Sequence, residues 1–281
     1  WFAARDCSYV VWEAGIGGRF DPTRLVAARR TALTSLDFEH TALLGASLED
    51  IARNKLDAAP AGARVFVGEA CMAQREAIEA HCAENALTPI FVAADTNLTL
   101  SLAGAFQQAN GALARVVAHD MGGNRLSDDD IGRGLAATRW PGRLEKLQAE
   151  PLVIIDVGHT PAAVRAARAG FESMAGERRP VLVCGVSEDK QAEPIIEALA
   201  PGFPRIICTK SRHKGRAGAE IAALVSAINP SAEIVVAESA AGARLLALAE
   251  PGAVYVAGSL FLAAEFKAVH LGRDPALLAF F

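Results

Sequence analysis

Short apolar runs separated by Ala/Leu-rich stretches of helical spacing dominate the second half of the chain. The runs are Leu152–Ile155, 181–184, Arg205–Cys208, Glu233–Val236 and Ala253–Ala257. Each has strand length and no polar alternation, as strands buried on both faces do. Five such strands alternating with helices predict a parallel α/β sheet covered on both sides. Thr160-Pro161 supplies an N-cap and a first-turn proline for the helix after the first run. The first half is mixed. Strands are predicted at 10–12, 31–36, 65–67 and 90–92, and a long helix over 98–119. Ser47-Leu48-Glu49-Asp50 resembles a capping box opening a helix to about residue 58. Ser127 caps a shorter helix over 127–137, with three Asp where the helix dipole favours them. The polar, Pro-containing stretch TRWPGRLEKLQAEP reads as a linker. The domain boundary is expected there, giving domains 1–145 and 146–281.

Composition narrows the function classes. The chain has 281 residues, 52% of them hydrophobic, and a net charge of -4. It is long enough for two cores and carries no basic surplus, so nucleic acid is not an expected partner. No apolar run reaches the roughly 18 residues of a membrane span. Five cysteines without a CxxC pair suggest reduced thiols in a cytoplasm rather than a disulfide framework or a zinc site. Trp1 stands where a start Met would, and an apolar run follows within ten residues. Upstream sequence is therefore expected, and no signal peptide.

Four segments could carry chemistry. EAGIGGRFD (residues 13–21) has glycines that let backbone turn tightly near a ligand, and Glu13 is placed at the end of a strand. It is not a dinucleotide fingerprint, because the third glycine is missing. SLDFEHTALLG gathers Asp37, Glu39 and His40 at a strand end, a donor set suited to Mg²⁺ or Mn²⁺. DVGHTP places Asp156 between a strand and a helix start. VAGSLFLAAE has the same shape around Ser259. Each segment is also compatible with ordinary turn and cap chemistry. No GxxxxGK[ST] loop is present in these residues.

In order and spacing these segments resemble the Mur ligase superfamily, specifically the folylpolyglutamate synthase/dihydrofolate synthase family. EAGIGGRFDPTR stands for E-x-G-L-G-G-R-x-D-A-T-N, TSLDFEHTALLG for T-S-I-x-x-D-H-T-x-x-L-G, and IARNKLDA for I-A-x-E-K-A-G-I. GAFQQANGALA, WPGR, DVGHTP, GVSEDK, a later Thr209 with Arg216, and AGSLFL follow in the family's order. The resemblance implies the later part of a Mur-ligase ATPase domain, then a Rossmann-like C-terminal domain with a mostly parallel sheet. The P-loop portion would precede Trp1, and a partner or self-association would cover the sheet edge it leaves.

The implied chemistry is ATP- and Mg²⁺-dependent amide formation. A folate or dihydropteroate carboxylate becomes an acyl phosphate, and L-glutamate attacks it. Carried over by position, Glu13 and His40 would be metal ligands, and Lys55 the lysine that is carbamylated. Asn110, Arg143 and Asp156 would contact ATP, and His159 and Ser259 the incoming glutamate, with Lys55 and His159 as catalytic residues. Departures from the pattern are Pro22, Arg24, Leu56-Asp57, Phe106 and Thr160. A Mur-type ligase for another carboxylate and amino acid, or a truncated non-catalytic homologue, are the alternatives.

Overall fold

The computed structural model describes residues 2–38, 40–249 and 251–280. The chain divides into two compact units: residues 1–99 with 108–135, and residues 100–107 with 136–281. The division falls nearer residue 136 than the expected 145, and residues 100–107 go to the second unit.

Unit 1 has a three-stranded parallel sheet of β1 (Arg30–Leu33), β2 (Arg64–Gly68) and β3 (Thr88–Val92), in that order. Its helices are α1 (Thr41–Leu44), α2 (Leu48–Leu56), α3 (Arg75–Glu84), α4 (Phe106–Gly122) from residue 108 onward, and α5 (Asp128–Ala137) up to residue 135. The strand period of two divides the core. Val65 and Val67 pack with Leu33, Leu56, Ile78 and Cys82 on one face. Phe66 and Val92 pack with Ala112 and Leu113 of α4 on the other.

Three local expectations change. Residues 10–12 form no strand. The apolar side chains Val11 and Trp12 are exposed, so the run lacks a sheet to bury it. β1 stops at Leu33 rather than 36. The long helix starts at Phe106 rather than 98, because Gly104 at φ 100° breaks the helical backbone before it. At α2 the Ser47 hydroxyl accepts from Asp50 N–H at 3.1 Å and lies 2.7 Å from the Asp50 carboxylate. The cap is therefore real, with the reciprocal bond made to the hydroxyl.

Unit 2 has a six-stranded sheet ordered β4-β5-β9-β6-β7-β8. The strands are β4 (Glu145–Gln148), β5 (Leu152–Ile155), β6 (Pro180–Cys184), β7 (Arg205–Cys208), β8 (Glu233–Val236) and β9 (Ala253–Ala257). Only β4 is antiparallel. The helices are α6 (Pro161–Ala175), α7 (Ala192–Leu199), α8 (Gly218–Ile228), α9 (Ala240–Ala247) and α10 (Leu260–His270). Leu152, Ile154, Leu182 and Tyr255 face α6, α7 and α8. Val153, Val183, Ile207 and Val254 face α9 and α10. Two covered faces explain why these strands read as unbroken apolar runs.

The predicted linker is instead part of this unit. Its 145–148 segment is the edge strand β4, and Lys267 of α10 holds Glu145 at 2.6 Å. The connection after β8 returns across the sheet to place β9 between β5 and β6. The loops leaving β6 and β9 therefore go to opposite faces, the topology that in open α/β sheets places ligands outside the carboxyl ends of the strands.

Candidate active site

In unit 2 the loops leaving β5, β9 and β6 carry the polar groups. Asp156 follows β5, is 2% exposed, and continues the ladder by donating its N–H to Val256 O at 3.0 Å. Its carboxylate accepts from Gly158 N at 2.7 Å and from Leu144 N at 3.0 Å. It thus fastens the WPGR segment and the DVGHTP turn to one strand end. Burial raises its pKa, while those two N–H groups and the positive charge of Arg143 oppose the rise. Arg143 is half-buried, one residue before Leu144. His159 is also half-buried, and its Nδ1 lies 3.1 Å from Val157 O. A carbonyl only accepts, so Nδ1 carries a proton and donates it to Val157 O. Thr160, where the family motif has Asn, caps α6 by accepting from Ala163 N.

Ser259 follows β9 and is 1% exposed. Its hydroxyl lies 3.1 Å from that of Ser187 in the loop after β6, and accepts a long 3.5 Å bond from Leu262 N at the start of α10. Gly258 makes this approach possible. Its φ is +96°, and a Cβ there would stand 2.7 Å from Gly185 O. Ser187 had no role in the sequence reading, although it lies within GVSEDK. Asp156, Arg143 and His159 are therefore gathered at one strand end, and Ser259 with Ser187 across the neighbouring two.

Unit 1 positions its candidate residues differently. Residues 13–21 are a loop with no strand behind Glu13, and Glu13 is exposed. Asp21 organises the loop, accepting from Gly15 N (2.8 Å), Ile16 N (3.1 Å), Thr23 N (2.9 Å) and the Thr23 hydroxyl (2.6 Å). The Thr23 hydroxyl, then its N–H, hold the Asp21 pKa down to about 2, against a smaller upward push from burial. Asn54, buried on α2, accepts from Gly18 N at 3.2 Å. Gly17 at φ +65° sits where a Cβ would be 2.5 Å from Asn54 Oδ1. Asp21 and Asn54 are the structural residues the sequence reading missed. Asp57, at one of the departures from the motif, receives Arg19 Nε at 2.6 Å and lies 3.2 Å from His81 Nε2. Leu56 beside it is core.

His40 is exposed and takes the left-handed backbone (φ 46°) at the N-cap of α1. Glu39 lies outside the described residues. Lys55 is half-buried, and its ammonium donates to Ser35 O at 3.2 Å. Its charge reaches Cys71, whose thiol burial pushes up to about 11 against that pull. Asn110 is exposed on α4. Phe106, where the motif has His, packs against the core of unit 2. Among the described residues no three His, Cys, Asp or Glu side chains group as a metal site.

Residues 142–260 match the Mur ligase glutamate ligase domain. The chain is 29% identical over 293 residues to a probable bifunctional folylpolyglutamate synthase/dihydropteroate synthase of Halobacterium salinarum, covering 95% of this chain and 36% of that protein. The chain is a homologue of the folylpolyglutamate synthases. The Bacillus subtilis dihydrofolate synthase/folylpolyglutamate synthase is 28% identical over 218 residues, 68% of this chain and 51% of that one. The structure of E. coli FolC in complex with DHPP and ADP superposes with a TM-score of 0.81 at 25% identity, covering 92% of this chain and 66% of that chain. The chain thus spans about a third to a half of the length of the curated relatives it matches. The expected α/β Mur ligase fold is the fold observed. No helix among the described residues is long and apolar enough to cross a membrane.

Proposed function

We propose that this protein works in an ATP-dependent amide ligase that adds L-glutamate to the carboxylate of a folate or dihydropteroate. The observation that carries this reading is the arrangement of Asp156, His159 and Ser259 at adjacent strand ends, inside the region matching a glutamate ligase domain. Glu13 and His40 supply one hard oxygen and one imidazole nitrogen. That pair suits a Mg²⁺ held mainly by water and substrate phosphates, as Mg²⁺ usually is. The acceptor carboxylate would attack the γ-phosphate of ATP, with ADP leaving, to become an acyl phosphate whose phosphate is released when the glutamate amine attacks the carbonyl.

The roles proposed for this chain's residues follow from their hydrogen bonding. Asp156 spends one bond from each carboxylate oxygen on the backbone, so it fixes the loops of residues 142–144 and 156–158 as well as facing a nucleotide. Arg143, carried on the same fixed loop, offers a cation to phosphate, and Asn110 a neutral contact to the nucleotide. His159, its ring oriented by the Nδ1–H bond to Val157 O, is the residue proposed to take a proton from the glutamate ammonium. Ser259 orients the amino acid by its hydroxyl. Lys55, tied to Ser35 O, is the residue for carbamylation. Each cysteine is free, and Cys71, Cys82, Cys184 and Cys208 are buried, which suits a reducing cytoplasm.

The test is phosphate release by the protein as its gene encodes it, with ATP, L-glutamate, and either tetrahydrofolate or dihydropteroate. The reading requires release that depends on both glutamate and acceptor. His159→Ala lowers kcat about 10²-fold or more if it moves the proton. Release with another amino acid in place of glutamate would reassign the substrate pair. No dependence on any amino acid would overturn the ligase reading.

A further inference from the structure

A cavity of about 290 Å³ opens within unit 1 between the glycine segment of residues 13–21, α1 and α2. Arg19 and Phe20 line it from the segment, residues 41–45 from α1 and the turn after it, and Asp50, Arg53 and Asn54 from α2. Small-molecule sites begin at about 300 Å³, so this volume suits a small metabolite.

Asn54 is the most buried polar residue of the lining, at 4% exposed. Its Oδ1 is turned to the glycine backbone, accepting from Gly18 N at 3.2 Å and Arg19 N at 3.4 Å. The amide is planar, so Nδ2 lies on the other limb, away from that backbone, and carries two donor protons. Nδ2 has no hydrogen-bond partner among the described residues, yet it is not walled in by protein. Its open side is the cavity. A donor set this deep takes an acceptor from outside the chain. The motif I-A-x-E-K-A-G-I has Glu at this place, and an ionised Glu only accepts. The spare donor is therefore a property of this chain's own sequence.

The neighbours select the acceptor. Arg53 gives Nη2 to Glu49 at 2.9 Å, while its Nη1 lies 4.0 Å from Glu84, outside hydrogen-bond reach. Arg19 commits Nε to Asp57 at 2.6 Å. Asp50 is the single carboxylate among the lining residues, and the Ser47 hydroxyl donates to it at 2.7 Å. Two cations and an amide donor against one carboxylate favour an anion. Leu44, which is buried, and Phe20 and Leu43, which are exposed, add apolar surface to the same cavity.

We propose that this cavity binds a small monocarboxylate with an apolar body. The carboxylate accepts from Asn54 Nδ2 and is neutralised by the Arg19 and Arg53 guanidinium groups. The site stands independently of the ligase reading. It also couples ligand to loop. The amide that holds Gly18 by Oδ1 is polarised by an acceptor on Nδ2, which strengthens the Gly18 bond.

The test is a ligand-observed NMR titration of the protein with benzoate, and in parallel with benzamide and inorganic phosphate. Benzoate is expected to bind saturably, about tenfold or more tighter than either of the others. Asn54→Asp keeps an acceptor for Gly18 N and turns the donor into an anionic oxygen. It is expected to weaken benzoate about tenfold or more. Ala42→Trp fills the cavity from the exposed side of α1 and leaves Asn54 in place. It is expected to have the same effect, and it decides the matter if Asn54→Asp does not fold. Arg53→Gln should weaken binding about threefold. Absence of saturable benzoate binding would overturn the proposal and leave the cavity to water. Equal binding of benzamide or phosphate would overturn the ligand class. Unchanged binding in a folded Asn54→Asp or Ala42→Trp protein would overturn the site. Binding is read without turnover, so none of these outcomes bears on the phosphate-release test of the ligase reading.

Discussion

The two units hold their candidate residues by opposite means. In unit 2 Asp156 and Ser259 stand at the ends of β5 and β9, strands buried on both faces, so the sheet itself aims them. In unit 1 Glu13 sits on a loop with no strand behind it, and two side chains, Asp21 and Asn54, hold that loop by its backbone N–H groups. A strand end is placed by many cooperative contacts. A loop pinned by two acceptors depends on each of them. Damage to the first arrangement should therefore spread through its sheet, while damage to the second stays local.

The largest effect is expected at Asp156. Replacing it with Ala leaves the N–H groups of Leu144 and Gly158 buried without their acceptor. The loss should be about 2–4 kcal/mol, seen as a lower urea midpoint for unit 2. If the midpoint hardly moves, the strand end is held by the sheet alone and the contrast between the units is sharper than drawn.

Next come two glycines. At Gly258 a new Cβ would meet the backbone oxygen of Gly185 at 2.7 Å, and backbone cannot step aside. At Gly17 it would meet side-chain atoms of Asn54 and Leu44 at 2.5 Å, which can rotate. Both have positive φ, so both Ala variants carry backbone strain of about 1–3 kcal/mol. Gly258→Ala should add a clash cost and loosen hydrogen exchange across β9 and β6. Gly17→Ala should raise exchange only around residues 15–19. Equal spread of exchange from both substitutions would break the comparison.

The smallest effect is in the acid response, where the two carboxylates have opposite signs. Asp21 is held near 2, below its ordinary 3.8. Its contribution is present above about pH 4 and is lost as pH falls toward 2. Asp156 is raised, so the folded state binds its proton first. Stability from that group rises as pH falls through its folded pKa toward the ordinary value. Urea midpoints followed from about pH 6 to pH 2 should show Asp21→Asn flattening the acid-side loss and Asp156→Asn removing a gain. Slopes of the same sign for both would contradict the assignment of causes.

How much of this was legible varies residue by residue. β5, β7, β8 and β9 fall where their apolar runs were placed, and for β5, β7 and β9 the reason is that a strand covered on both faces needs little but apolar residues. β4 was hidden. Its sequence, EKLQ, is polar because it lies at the sheet edge, and nothing local distinguishes such a strand from a linker. Residues 10–12 misled in the other direction, since an apolar run becomes a strand only where a neighbour offers hydrogen bonds. Asp57, Phe106 and Thr160 stood in the sequence only as departures from the family pattern. In the fold they are respectively an ion-pair acceptor for Arg19, a core contact and a helix cap.

The sequence by itself determined the α/β class, the five parallel strands of unit 2, the caps at Ser47 and Thr160, and the ordered motifs that mark a Mur ligase homologue. These depend on local pattern and short spacing, which the chain carries directly. Only the tertiary structure decided that β9 enters between β5 and β6, that Ser187 meets Ser259, and that Asp21 and Asn54 shape the glycine segment. Those pairings join residues far apart in the chain. They form only where sheet order and burial bring unsatisfied polar groups within reach of one another.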